Sequence, residues 1–240
     1  MRIAVIGGGI AGVSAAYHLV EAHPGADVLL LEAEPVLAHH TTGRSAAILL
    51  ENLSTVPNRI LTRASVDFLY DTPEDLVDAP LLSPRTVMTV CSEEQSDEMD
   101  ELLAEGRLLL SPTVELTVDE AMGYFPPLRR ELIHRAALEP DCADVDVGAL
   151  HQAYVRGFRR AGGQIATSAR MDAATPDGDG WSLDTTDGNV GADVIVNAAG
   201  AWGDIVAASA GVEPIGLQPC RRTAFMVDSP GCDTTGWAFA

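Results

Sequence analysis

The sequence predicts a mixed α/β chain, with a parallel sheet flanked by helices and interrupted by a second domain of antiparallel strands. Three observations predict it. An apolar strand pattern, a glycine cluster and a helix pattern fill the first 22 residues in that order. A second apolar strand follows directly, completing a βαβ unit with the right-handed crossover that parallel strands require. This texture disappears between residues 71 and 135 and returns near residue 145.

Each element has its own signal. Residues 2–6 (RIAVI) are apolar and partly β-branched, the pattern of a buried strand. Gly7 to Gly9 end it, and residues 10–22 place Ala11, Val13, Ala15, Ala16 and Leu19 at helical spacing. Residues 27–32 (DVLLLE) form the second strand. Nothing periodic follows until a helix expected over 58–70. The middle of the chain predicts a strand at 86–91, an acidic amphipathic helix at 96–110, and a capping box at Thr117 and Glu120. A helix over 146–160 buries Val147, Leu150, Ala153, Tyr154 and Phe158 and stops at Gly162 and Gly163. Residues 164–169, 181–185 and 189–193 read as a small meander, with Asp187 and Gly188 as a turn. Residues 194–197 form a further buried strand, and the chain becomes strand-like and polar from Leu217. Residues 1–75 and 141–216 therefore read as one domain, and 76–140 and 217–240 as the other.

Composition excludes several function classes. Of the 240 residues, 47% are hydrophobic and 21% charged, the balance of a globular chain. All fifteen basic residues are arginine, and the net charge of −20 argues against nucleic acid or an anionic membrane surface as the main partner. Cys91, Cys142, Cys220 and Cys232 are scattered without a CxxC pair, which predicts free thiols and a cytoplasmic location. The first twenty residues imitate a signal peptide, but three glycines break the apolar run. No stretch approaches the roughly twenty apolar residues of a membrane span. His18, His23, His39, His134 and His151 lack metal-ligand spacing with carboxylates or cysteines, so no metal is expected.

The glycine cluster carries the chemistry. Gly7, Gly9 and Gly12 form a GxGxxG pattern between a strand and a helix. Gly7 permits the tight turn, Gly9 lets the backbone approach a pyrophosphate, and Gly12 lets the helix pack closely on the strand. The helix amino end offers N–H groups and a positive dipole end to phosphates. Glu32, twenty residues after Gly12, stands where a carboxylate accepts hydrogen bonds from an adenosine ribose. The unit is thus a dinucleotide-binding Rossmann unit. Its acid would repel the 2′-phosphate of NADP, which leaves NAD or FAD.

Three further segments carry a resemblance: His40-Thr-Thr-Gly-Arg-Ser-Ala-Ala47, Val194-Ile-Val-Asn-Ala-Ala-Gly-Ala-Trp202 and Leu217-Gln-Pro-Cys-Arg-Arg-Thr-Ala-Phe225. With Leu81-Leu-Ser-Pro-Arg85 and Ala149-Leu-His-Gln152, they make the chain similar to the D-amino-acid oxidase superfamily, and within it to the D-arginine dehydrogenase branch. The resemblance spans essentially the whole chain and implies FAD, held non-covalently. It implies that Thr41, Thr42, Gly43, Arg44, Ser45, Ala46 and Ala47 lie along the flavin. Ile10, Ala11 and Ser14 beside the glycines, Ala33 beside Glu32, and Met171, Ala199, Gly200 and Trp202 complete the implied cofactor set. The implied reaction passes a hydride from the α-carbon of a D-amino acid to flavin N5, and the imino acid then hydrolyses. Arg222 matches an arginine that pairs with the substrate carboxylate, a task suited to a guanidinium fork.

The sequence departs from that branch at three substrate positions. Ile48, Leu53 and Val87 stand where the branch has histidine, tyrosine and glutamate. This exchange predicts an apolar D-amino acid or a small amine as substrate, because a buried cation without a partner is costly. Family members also continue beyond this length with a second carboxylate-binding arginine and a glycine-rich flavin cover. The expectation is therefore a truncated chain with an incomplete substrate domain. A flavin-binding remnant without activity and an NAD-dependent dehydrogenase remain as alternatives.

Overall fold

The computed structural model describes residues 1–52, 55–107, 109, 112–221, 223, 228, 231–234 and 236–239. In chain order the strands and helices are β1 (Arg2–Ile6), α1 (Ile10–Ala22), β2 (Asp27–Leu31), β3 (Ile48–Leu49), α2 (Val56–Tyr70), β4 (Leu82–Cys91), α3 (Ser96–Gly106), β5 (Val114–Leu116), α4 (Val118–Tyr124), β6 (Arg135–Val145), α5 (Val147–Arg160), β7 (Gln164–Ala166), β8 (Met171–Asp177), β9 (Gly180–Thr185), β10 (Gly188–Ala192), β11 (Val194–Asn197) and α6 (Gly203–Ser209). The chain divides into two compact units. Unit 1 comprises Met1–Ala46, Pro73–Asp78 and Val147–Thr223, and unit 2 comprises Ala47–Thr72, Ala79–Asp146 and Ala224–Ala240.

Unit 1 is built on a parallel sheet in the order β11-β1-β2-β7. Ile3 to Ile6 are buried on both faces, which is why this strand reads as a continuous apolar run without alternation. A three-stranded antiparallel layer, β10-β9-β8, contributes Met171, Ala174, Leu183 and Ala192 to a core shared with Ala4, Ile6 and Leu31. Helix α1 buries Gly12, Val13, Ala16 and Val20. It meets α5, where Tyr17 and Tyr154 lie 5.6 Å apart, centroid to centroid. A Cβ at Gly157 would fall 2.6 Å from the Tyr17 ring, so the close approach of these helices needs glycine there.

Unit 2 is antiparallel, with β6 pairing β3, β4 and β5. One face of the sheet packs Met88, Ala136 and Leu138 against Ala121 of α4. The other packs Cys91 and Ala137 against Met99 and Leu103 of α3. The pairing of β4 with β6 shifts register between Arg85 and Val87, after which Val87 stands opposite Glu139. Helix α4 carries the expected capping box, with Glu120 N–H donating to Thr117 Oγ1 and Thr117 N–H donating to Glu120.

Several expectations are corrected. Residues 164–166 do not open the meander; they form β7, parallel to β2. The first meander strand is β8, which the sequence pattern hid because Pro176 and two aspartates interrupt its alternation. The eleven-residue β6 was missed for the same reason, since Glu139, Pro140, Asp141 and Asp144 interrupt its apolar pattern. Residues 212–221 form neither helix nor strand, so the strand expected from Leu217 is not found there. Helix α2, grouped by sequence with the first domain, belongs to unit 2. The four cysteines are free thiols. Among the described residues no helix is long and apolar enough to cross a membrane.

Candidate functional site

The carboxyl end of β1 gathers the residues that the glycine pattern singled out. Gly7 adopts φ +110°, open to glycine but strained for a side chain, and its N–H donates to Leu31 O at 2.8 Å. A Cβ on Gly12 would lie 1.8 Å from Gly7 O, and a Cβ on Gly7 would lie 2.5 Å from Ala198 O. These contacts give the two glycines physical roles: Gly12 lets α1 sit on the turn, and Gly7 lets β11 run alongside it. Gly8, which the pattern leaves unspecified, is confined by side chains instead of backbone, with Leu37 Cδ2 2.5 Å and Glu32 Oε2 2.9 Å from its would-be Cβ.

Glu32 directly follows β2 and is held on both oxygens. Gly8 N–H donates to Oε2 at 2.7 Å and Glu34 N–H to Oε1 at 2.8 Å. Each carboxylate oxygen has a second lone pair, so acceptor capacity remains for ribose hydroxyls. At the amino end of α1, Gly9 supplies no side-chain cap. Thr42 does so from the following loop, its buried Oγ1 accepting from Ile10 N–H at 2.9 Å. The first-turn N–H groups of a helix have no partner within it. A phosphate arriving at this end would therefore meet donors aligned with a positive dipole end.

Other implied cofactor residues in unit 1 differ in exposure. Ala11, Ala33, Thr41, Gly43, Arg44, Ser45, Ala46, Gly200 and Trp202 are exposed, while Ser14 and Ala199 are half-buried. Asn197 closes the turn after β11, its Nδ2 donating to Gly203 O at 2.7 Å while Ala199 N–H donates to its Oδ1 at 3.3 Å. Met171 is buried in the core, as its apolar side chain suggested. Ala47 adopts φ +54° and belongs to unit 2, as do half-buried Ile48 and buried Val87. Leu53 and Arg222 lie outside the described residues.

Three features were not legible in the sequence. His151, only 2% exposed, donates from Nε2 to Gly8 O at 2.9 Å, so α5 holds the glycine loop from behind. Its sequence signal was a core-facing position on α5, which gives no hint of its partner. Glu34, His39 and His40 bring ligand-type atoms within 4.8 Å of one another. His40 bonds Glu34 at 2.9 Å and lies 4.6 Å from the Trp202 ring. The absence of metal-ligand spacing along the chain therefore does not describe what the folded 33–40 loop assembles. The third is Glu139, buried opposite Val87. The expectation of a pocket without a carboxylate considered position 87, whose cross-strand partner on β6 is itself a carboxylic acid.

The chain matches the family of FAD dependent oxidoreductases called DAO over residues 2–238. It belongs to that family. FAD is accordingly the dinucleotide, and the NAD alternative left open by Glu32 falls away. Among relatives of this family member, L-2-hydroxyglutarate dehydrogenase of Indibacter alkaliphilus is 24% identical over 86% of the chain and 52% of its own length. Mitochondrial dimethylglycine dehydrogenase of Rattus norvegicus is 28% identical over 82% of the chain and 23% of its own length. The crystal structure of glycine oxidase from Geobacillus kaustophilus superposes with a TM-score of 0.75 at 24% identity, covering 88% of this chain and 58% of that one. The chain thus spans about half the length of the first of these relatives or less.

Proposed function

We propose that this chain supplies the FAD-binding part of an oxidoreductase acting on a small amino acid or related amine. The observation that carries the reading is the β1–α1 turn. Glycines stand where no side chain fits, the helix end presents N–H donors, and Glu32 is fixed by two backbone donors at the ribose position. A bound flavin would supply the acceptor for the hydride that leaves the substrate α-carbon as the nitrogen lone pair forms the C=N bond, and hydrolysis of that imine would release ammonia or an amine. The protein's part is positioning. The Gly7–Gly12 turn and the amino end of α1 hold the pyrophosphate, Glu32 the ribose, and the 41–47 loop and Ala199, Gly200 and Trp202 the rest of the cofactor. The Met171 backbone is assigned to the adenine. Arg222 is assigned to the substrate carboxylate through its guanidinium fork.

Amine chemistry is favoured by the motifs shared with D-arginine dehydrogenases, and relatives named for glycine and dimethylglycine support it. Chirality and electron acceptor are left to experiment. The deciding test is the visible spectrum of the chain, purified after expression with excess FAD. Flavin bands that survive desalting are expected, followed by dye reduction on adding a panel of D- and L-amino acids. A colourless protein would overturn the assignment of these residues as a sufficient flavin site. A yellow protein that reduces no dye would support a flavin-binding chain without activity of its own.

A further inference from the structure

A cavity of about 560 Å³ opens inside unit 2, between α2 and the sheet formed by β4 and β6. Its walls differ in chemistry. Val66, Leu82 and Leu109 supply hydrocarbon, while Glu51, Glu139 and Asp141 supply carboxyl groups. Arg63 also lines it, but its Nη1 already donates to Glu51 at 3.1 Å. Glu139 is only 6% exposed. It accepts a hydrogen bond from the Asn52 backbone, and no ion pair reaches it among the described residues. A carboxylate has about four lone-pair sites, and among the described residues one donor is seen to reach this one.

The surroundings agree. Burial, reinforced by Glu51, pushes the Glu139 carboxyl up to about 7. Burial and then the Glu139 charge push the neighbouring Cys142 thiol up to about 12. The hydrocarbon walls suit a ligand with an apolar stem, and among the described residues the cavity carboxyl groups do not gather into a metal-ligand cluster.

We propose that this cavity binds an organic cation, a primary ammonium or guanidinium on an aliphatic stem. The head pairs with Glu139, and the stem lies along Val66, Leu82 and Leu109. The inference goes beyond the flavin reading and stands on unit 2 alone.

The test is calorimetric titration of the full chain with n-butylguanidinium chloride, using n-butanol as the neutral control. Saturable binding about ten-fold tighter than butanol is expected. Binding should release protons near pH 6.5, because the cation favours the ionised form of Glu139. The other charged and titratable groups lining the cavity are Glu51, Arg63, Tyr70, Asp141 and Cys142. Glu139→Gln should abolish proton release and weaken binding about ten-fold, while Glu115→Gln, at an exposed position of β5, should change neither. Equal affinity for butanol and butylguanidinium, or an unaffected Gln variant, would overturn the proposal. If that variant fails to fold, the wild type decides, since affinity that does not rise between about pH 5 and 8 overturns it equally. Visible absorbance separates this from the flavin reading. A colourless chain that binds butylguanidinium keeps this inference and loses the other, and a yellow chain that does not bind does the reverse.

Discussion

Gly12 has room for a hydrogen atom and nothing larger, since a methyl group there would sit 1.8 Å from a backbone oxygen that cannot move without opening the turn. Gly12→Ala should therefore cost about 3 kcal/mol, from overpacking, and should abolish flavin retention. Gly123→Ala is the contrast. Its Cβ meets nothing within 4 Å on helix α4, so it should gain about 0.5–1 kcal/mol. Thermal melts of the two variants check the pair, and equal behaviour would contradict the packing argument. Glu139 gives a second prediction at this scale. Its carboxyl holds a proton up to about 7 in the folded chain, against an ordinary 4.5. The folded state thus binds more protons than the unfolded one between those values, and stability falls as pH rises through that window. The loss amounts to about 3 kcal/mol by neutral pH. Glu139→Gln should remove that slope, read by urea unfolding at about pH 5 and pH 8. Of these residues, Gly12 was legible because a spacing rule names it, whereas Glu139 was not, because cross-strand register is invisible along the chain.

At the scale of elements, α1 lacks a side-chain cap of its own and borrows one from Thr42, thirty-two residues away. Thr42→Val keeps the volume and removes the acceptor, leaving Ile10 N–H without its partner at a cost of about 1 kcal/mol. The loss should be smaller with FAD bound if phosphate takes over that helix end, so melting the variant with and without saturating FAD is the measurement. An equal loss in both states would argue against a phosphate there. The elements themselves were read with uneven success, for a consistent reason. β1 announces itself because burial makes it uniformly apolar, α1 because its apolar residues recur at helical spacing, and β11 because Val194, Ile195 and Val196 are β-branched, although none of them is buried. β6 and β8 do not, because acidic residues and proline interrupt their pattern and pairing in the sheet alone makes them strands.

For the whole molecule, 35 acidic residues face fifteen arginines and no lysine. Several arginines are engaged locally: Arg135 bridges Asp100 and Glu115, and Arg85 bonds Asp144. The remaining negative charge repels itself in the compact state, and salt screens that repulsion. Raising sodium chloride from about 20 mM to about 0.5 M should therefore raise the melting temperature by a few degrees. A fall would mean that the ion pairs outweigh the excess. The sequence by itself determined the parallel βαβ unit, the dinucleotide motif, the acid at its second strand and the family, because these depend on residue types at fixed spacing along one segment. Tertiary structure alone decided which strand joined which sheet, that His151 and Thr42 brace the glycine turn, and that a buried carboxylate stands opposite Val87. Each of those joins residues far apart in the chain, and only hydrogen bonding and burial in the folded state bring them together.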